Sequence, residues 1–134
     1  MLTHHPFWGI GQDSDGVFDL NDTLQTATGN VLTDDISLVL SGHIHLFELL
    51  KFESGRQPQF IIGFSGTELD PTLTAPLAGM EIGGDTVSEG ITFHQFGFVT
   101  MERAGNLWNA QIRDVDGQML LECVIDGNDV DCSE

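Results

Sequence analysis

Residues 37–48 read SLVLSGHIHLFE, and how this stretch is read decides the fold. The run ISLVLS (36–41) has too little alternation for a surface strand and suits a strand buried on both faces. Gly42 then permits a backbone turn, and His43 and His45 follow with Ile44 between them. In a strand, residues i and i+2 point to the same side, so the two imidazoles are expected to project together. Open sheets bind ligands at the carboxyl ends of their strands, and neutral imidazole is a ligand for zinc, iron and manganese. The competing reading is a pair of polar residues at an ordinary strand end.

A second stretch has the same form. LTHHPFW (2–8) is a short apolar lead that ends in histidine, after which Pro6 stops the strand. If strands at 1–4 and 36–41 are parallel neighbours, His4, His43 and His45 converge on one sheet edge. Each cluster alone is a weak signal. Two clusters, both at strand exits, favour metal ligation over paired turn residues.

The chain has 134 residues, 40% of them hydrophobic and 19% charged, which fits one domain with one core. Twenty-one acidic residues face four basic ones (Lys51, Arg56, Arg103 and Arg113), for a net charge of -17. Phosphate backbones and anionic membranes are repelled by such a surface, so neither nucleic acid nor membrane is an expected partner. No apolar run reaches the roughly 20 residues of a membrane span, and MLTHHPFWG has no basic region followed by an apolar one, so it is not read as a signal peptide. Cys123 and Cys132 flank VIDGNDVD. Two readings stand: a bridge that staples a C-terminal hairpin in an oxidising compartment, exported or periplasmic, or two unrelated thiols.

Outside the histidine clusters the pattern is mostly β. Residues 11–22 read as a loop. A short helix is expected within 20–35, capped by Asn21 or Asp22 and ended by Gly29. Residues 46–54 and 58–66 read as strands, and 67–90 as loop. Residues 91–105, 106–117 and 118–127 read as three strands of an antiparallel meander, joined at RAGN and DVDG. His94 is expected as a packed strand residue, Phe96 and Phe98 as core-facing, and Trp8 and Trp108 as core or site wall. A strand buried on both faces near residue 38 needs two covering layers, and one helix does not supply them. A missing segment or self-association is the expected remedy.

In this order, LTHHPFWG, LVLSGHIHLFE, IIGFSGTELDP and FGFVTMER…LWNAQIRDVDGQML resemble the calcineurin-like metallophosphoesterases, nearest the purple acid phosphatase branch. The resemblance spans essentially the whole chain, and its most specific part is H-x-P with GHxH. It implies a hydrolase, a phosphatase acting on phosphate esters through two bound metal ions (Fe, Zn or Mn). By that resemblance His4 and His43 share one metal and His45 belongs to the second. His5 is a substrate-facing or supporting group, and Gly63, Ser65, Gly66 and Asp70 form a structural segment beside the site.

The family's earlier motifs, D-x-H, G-D-x-x-D and G-N-H-[DE], have no counterpart here. They carry the bridging aspartate and the remaining ligands. Asp13, Asp15 and Asp34 are free to approach the histidines, but their spacing does not demand it. The resemblance therefore implies the C-terminal half of a four-layer α/β/β/α sandwich, an α/β but β-rich fold with a mixed sheet and a C-terminal meander, incomplete as an enzyme. The alternative is a non-catalytic, β-rich binding or self-associating module that retains vestigial ligands. DSDGVFDLND and DGNDVD lack the spacing of an EF-hand loop and read as turns.

Overall fold

The computed structural model describes residues 1–66 and 68–134, with the backbone alone for Leu20; Thr67, inside the glycine-rich segment quoted above, lies outside the described residues. In chain order the elements are β1 (Leu2–Thr3), β2 (Ile10–Gln12), β3 (Phe18–Leu20), α1 (Asp22–Thr28), β4 (Val39–Ser41), β5 (Phe47–Phe52), β6 (Gln59–Ile62), β7 (Glu81–Ile82), β8 (Asp85–Phe93), β9 (Gly97–Ala104), β10 (Leu107–Asp114), β11 (Met119–Asp126) and β12 (Asp129–Ser133). Six strands form one sheet in the order β1-β4-β6-β5-β8-β7, and four form an antiparallel meander in the order β12-β11-β10-β9. β1, β4 and β6 run parallel, whereas β5 pairs antiparallel with β6 and β8. The fold is thus β-rich with a mixed sheet and a C-terminal meander.

The two sheets face each other. Phe47, Leu49 and Phe60 from the mixed sheet pack with Ala110, Ile112, Leu121, Cys123 and Ile125 from the meander. The other face of the mixed sheet buries Val39, Leu50 and Phe52 against Phe7, Trp8, Ile10, Leu77 and Ile82. Val39 is fully buried, and Leu40 packs partly buried against the inter-sheet core. The expected shortage of cover for this strand is not found. The meander covers one face, and the N-terminal segment with the connections around β7 covers the other.

The four-layer α/β/β/α arrangement is not what the described residues form. Among them α1 is the one helix. On β11, Leu121, Cys123 and Ile125 are buried while Glu122, Val124 and Asp126 are exposed, so the outer face of the meander is patterned for water. The helix itself follows its sequence signals. Asn21 Oδ1 accepts the Leu24 N–H at 3.2 Å, and Gly29 ends the helix in the left-handed conformation.

Several other expectations change. Residues 11–22 hold the β2–β3 hairpin, and 67–90 contain β7 and the start of β8. The run 91–105 is split between sheets, ending β8 at Phe93 and beginning β9 at Gly97. His94 therefore lies exposed in the connection between sheets. Phe96 and Phe98 are partly exposed, and Gly97 between them is the buried residue. A Cβ there would lie 2.2 Å from the Arg113 carbonyl oxygen and 2.5 Å from Phe64, so only glycine allows this close approach. Trp8 is fully buried, whereas Trp108 is 40% exposed.

The two D-x-D-G segments fold alike. Asp13 Oδ1 accepts the N–H groups of Asp15 and Val17, and Asp114 Oδ1 accepts those of Asp116 and Gln118. Each aspartate spends its carboxylate on its own turn. Cys123 and Cys132 sit directly opposite on β11 and β12 and form a disulfide. Closing a loop of this size stabilises by about 2–3 kcal/mol in the chain-entropy model.

Two ionisable groups, the half-buried Arg56 and the buried Glu48, lie on the mixed sheet's second face. The Arg56 guanidinium stacks on Phe52 at 3.8 Å and on Trp8 at 4.3 Å. It donates to the Ile82 and Gly83 carbonyls and lies 3.5 Å from Asp85. Burial lowers its pKa to about 10, which leaves it charged at neutral pH. Glu48 is fully buried, and its Oε2 accepts the Ile10 N–H at 3.3 Å. Burial pushes its carboxyl up from 4.5 to about 8. The unfolded chain releases this proton near pH 4.5 and the folded chain near pH 8, so the native state holds more protons between those values and stability falls as pH rises through that window. Glu48→Gln is expected to raise stability at pH 8 by on the order of a few kcal/mol and to have little effect at pH 4. Urea unfolding at the two pH values checks this, and an equal effect at both would contradict it.

Candidate metal centre

The site grows from one strand pairing. β1 lies parallel to β4 with Leu2 opposite Leu40 and Thr3 opposite Ser41. Parallel strands in register end at the same edge, so the residues that follow each strand leave the sheet side by side. After β1 come His4 and His5, and after β4 come Gly42 and His43. The two exits are tied together, because the Gly42 N–H donates to the His4 carbonyl at 3.2 Å. Thr3 Oγ1 donates to the His5 carbonyl at 2.8 Å and fixes the turn ahead of Pro6.

His4, His5 and His43 meet at this edge. Their ligating nitrogens all lie within 4.8 Å of one another. His4 Nε2 and His43 Nδ1 are 3.3 Å apart, and the His5 ring lies over the His43 ring with centroids 3.8 Å apart. All three side chains are exposed. The His43 pKa is lowered, first by partial burial and then by the neighbouring His5 and His4, with Asp70 opposing. The lowering favours the neutral imidazole, the form that offers a lone pair.

His43 has φ of +70°. A non-glycine residue in this left-handed region carries a backbone cost and is found most often where geometry serves a site. The turn it makes explains why His45 does not join the three. Strand periodicity would place His43 and His45 on one side, but β4 ends at Ser41 and the chain turns at His43. The His45 backbone is held by Asp70: its N–H donates to Asp70 Oδ2 at 2.7 Å, and the Asp70 N–H donates to the His45 carbonyl at 3.2 Å. Asp70 thus clamps the backbone of the histidine segment. Gly63 completes the support, since a Cβ there would sit 1.8 Å from the Ile44 carbonyl oxygen. Ser65 and Gly66 are exposed.

A cleft of about 550 Å³ opens beside the cluster, and His5, His43, His45, Asp13, Asp19 and Asp70 are among its lining residues. Asp13 reaches the cleft as the sequence allowed, with one carboxylate oxygen engaged in its own turn. Asp34 borders a different depression, beside Arg56. Asp19 was not singled out by sequence and is brought to the cleft by the β2–β3 hairpin. His5, given by the resemblance as a substrate-facing or supporting group, lines the cleft and also lies in the histidine cluster. Among the described residues no lysine or arginine lines the cleft.

Comparison of the chain with protein-family models gives no match, and comparison with curated proteins gives none.

Replacing His43 by glycine separates backbone cost from site chemistry. His43→Gly is expected to stabilise the fold by about 1 kcal/mol through relief of the left-handed backbone, while removing one ring of the cluster. Thermal unfolding checks this; a loss of stability would show that the ring packing outweighs the strain.

Proposed function

We propose that the chain carries part of a metal-dependent phosphoesterase centre and is not catalytically complete by itself. The observation that supports this reading is the meeting of His4, His5 and His43 at the exits of two parallel strands, at the mouth of an open cleft. Among the described residues the cleft holds no lysine or arginine, so on this reading the attraction for a phosphate ester would have to come from bound metal. Such ions (Fe, Zn or Mn) act as Lewis acids and neutralise phosphoryl charge.

The residues fit a two-metal centre poorly. The cluster holds imidazoles alone, His45 is outside it with Asp70 at its backbone, and among the described residues no carboxylate joins the group. The missing ligands would come from a segment outside these 134 residues. The free edge of β1 is where that segment would add: it is an end strand of the mixed sheet, and its Leu2 is 80% exposed. The Cys123–Cys132 bridge favours an exported or periplasmic setting. No helix among the described residues is long and apolar enough to cross a membrane.

Little or no hydrolysis of p-nitrophenyl phosphate is expected from this chain with added manganese, zinc or iron. Inorganic phosphate is expected to bind only when metal is present, and His43→Ala should abolish that binding in calorimetry. Metal-loaded protein that ignores phosphate would sink the phosphoesterase reading. Robust turnover lost in His43→Ala would overturn the claim of incompleteness.

The same open edge favours a second reading, a non-catalytic module that self-associates through β1. Light scattering after size exclusion is expected to show dimers that dissociate on dilution. A clean monomer at high concentration counts against it.

A further inference from the structure

We propose that His4, His5 and His43 form a self-sufficient site for a single transition-metal ion, with His45 taking no part. The proposal is independent of the phosphoesterase reading and differs from the ligand division which the family resemblance implies, where His45 is a ligand and His5 is not.

The geometry carries it. Zinc binds imidazole nitrogen at about 2.0–2.1 Å, so two nitrogens on one tetrahedral ion stand about 3.3–3.4 Å apart. His4 Nε2 and His43 Nδ1 are 3.3 Å apart, the spacing such an ion needs. The third ring is already at hand, since the nitrogen of His5 lies within 4.8 Å of the other two. Its side chain is exposed, so a rotamer change brings it in without moving the core. The backbone is committed in advance: Thr3 holds the His5 carbonyl, Gly42 holds the His4 carbonyl, and His43 keeps its left-handed turn. His45 lines the same cleft but is not one of the three residues whose ligating nitrogens lie within 4.8 Å of one another.

The donor set selects the metal class. Three imidazoles suit zinc, cobalt, nickel and copper, and offer nothing to calcium or magnesium, which take oxygen ligands. The surrounding charge of -17 draws cations toward the site without choosing among them.

The test is titration of the full chain with cobalt(II) at neutral pH, followed through the visible d–d bands, with zinc competition to obtain affinity. One ion per chain is expected. His4→Ala, His5→Ala and His43→Ala should each weaken binding about 100-fold or more, beyond what loss of a mere supporting partner typically costs. His45→Ala should leave affinity unchanged. His43→Asn, which tolerates the left-handed backbone, serves as a second variant at that position, and far-ultraviolet circular dichroism confirms that each variant is folded. Two ions per chain would overturn the proposal. So would His45→Ala weakening binding while His5→Ala does not, or no cobalt uptake at millimolar concentration.

Discussion

The parallel pairing of β1 with β4 is the constraint on which the rest of the molecule depends. It is short, with Leu2 opposite Leu40 and Thr3 opposite Ser41, yet it fixes two things together. It seats the N-terminal segment on the mixed sheet, which allows Phe7, Trp8 and Ile10 to cover Val39, Leu50 and Phe52. It also makes two chain exits coincide, and those exits carry three of the five histidines. A slip of this pairing by one residue would turn the strand's side chains to the other face and separate the rings. The core and the candidate site therefore share one register.

Much of this arrangement was legible in the sequence. The caps of α1 and the hairpins of the meander each have a local cause and took the form their residues dictate, whereas of ISLVLS only Val39–Ser41 is strand and Ser37 is exposed. What was not legible depended on contacts between distant segments. The cover of β4 comes from the meander and from the N-terminal segment, and neither shows in local periodicity. The run 91–105 looked continuous because Phe96 and Phe98 alternate around Gly97. Its division between sheets is decided by how closely Gly97 approaches Arg113 and Phe64.

The histidines show the same division at finer scale. Their location at strand exits followed from Pro6 and Gly42. Their grouping did not, because strand periodicity was applied one or two residues past the strand ends. His43 with φ of +70° is outside the region where i and i+2 share a side. The backbone turn at His43 bears on where His45 goes, while His5 reaches the edge through the exit of β1. The similarity of motifs to a two-metal family and the observed grouping lead to different ligand sets, and the difference lies in the residues just beyond β1 and β4.

The arrangement of Arg56 between Trp8 and Phe52 has a consequence at long range. All four cationic side chains have internal partners: Arg56 in its aromatic stack, Lys51 with the Val130 carbonyl and Glu89, Arg103 with the Gly105 carbonyl and Arg113 with the Gly117 carbonyl. Seen from solvent, the molecule is close to a pure polyanion. Around such a body the counter-ion cloud is enriched in cations and contracts as salt is added, from about 30 Å at 0.01 M to about 10 Å at 0.1 M. Divalent ions arriving at the exposed histidines therefore come from a local reservoir, and the filling of that reservoir is set by the ionic strength outside.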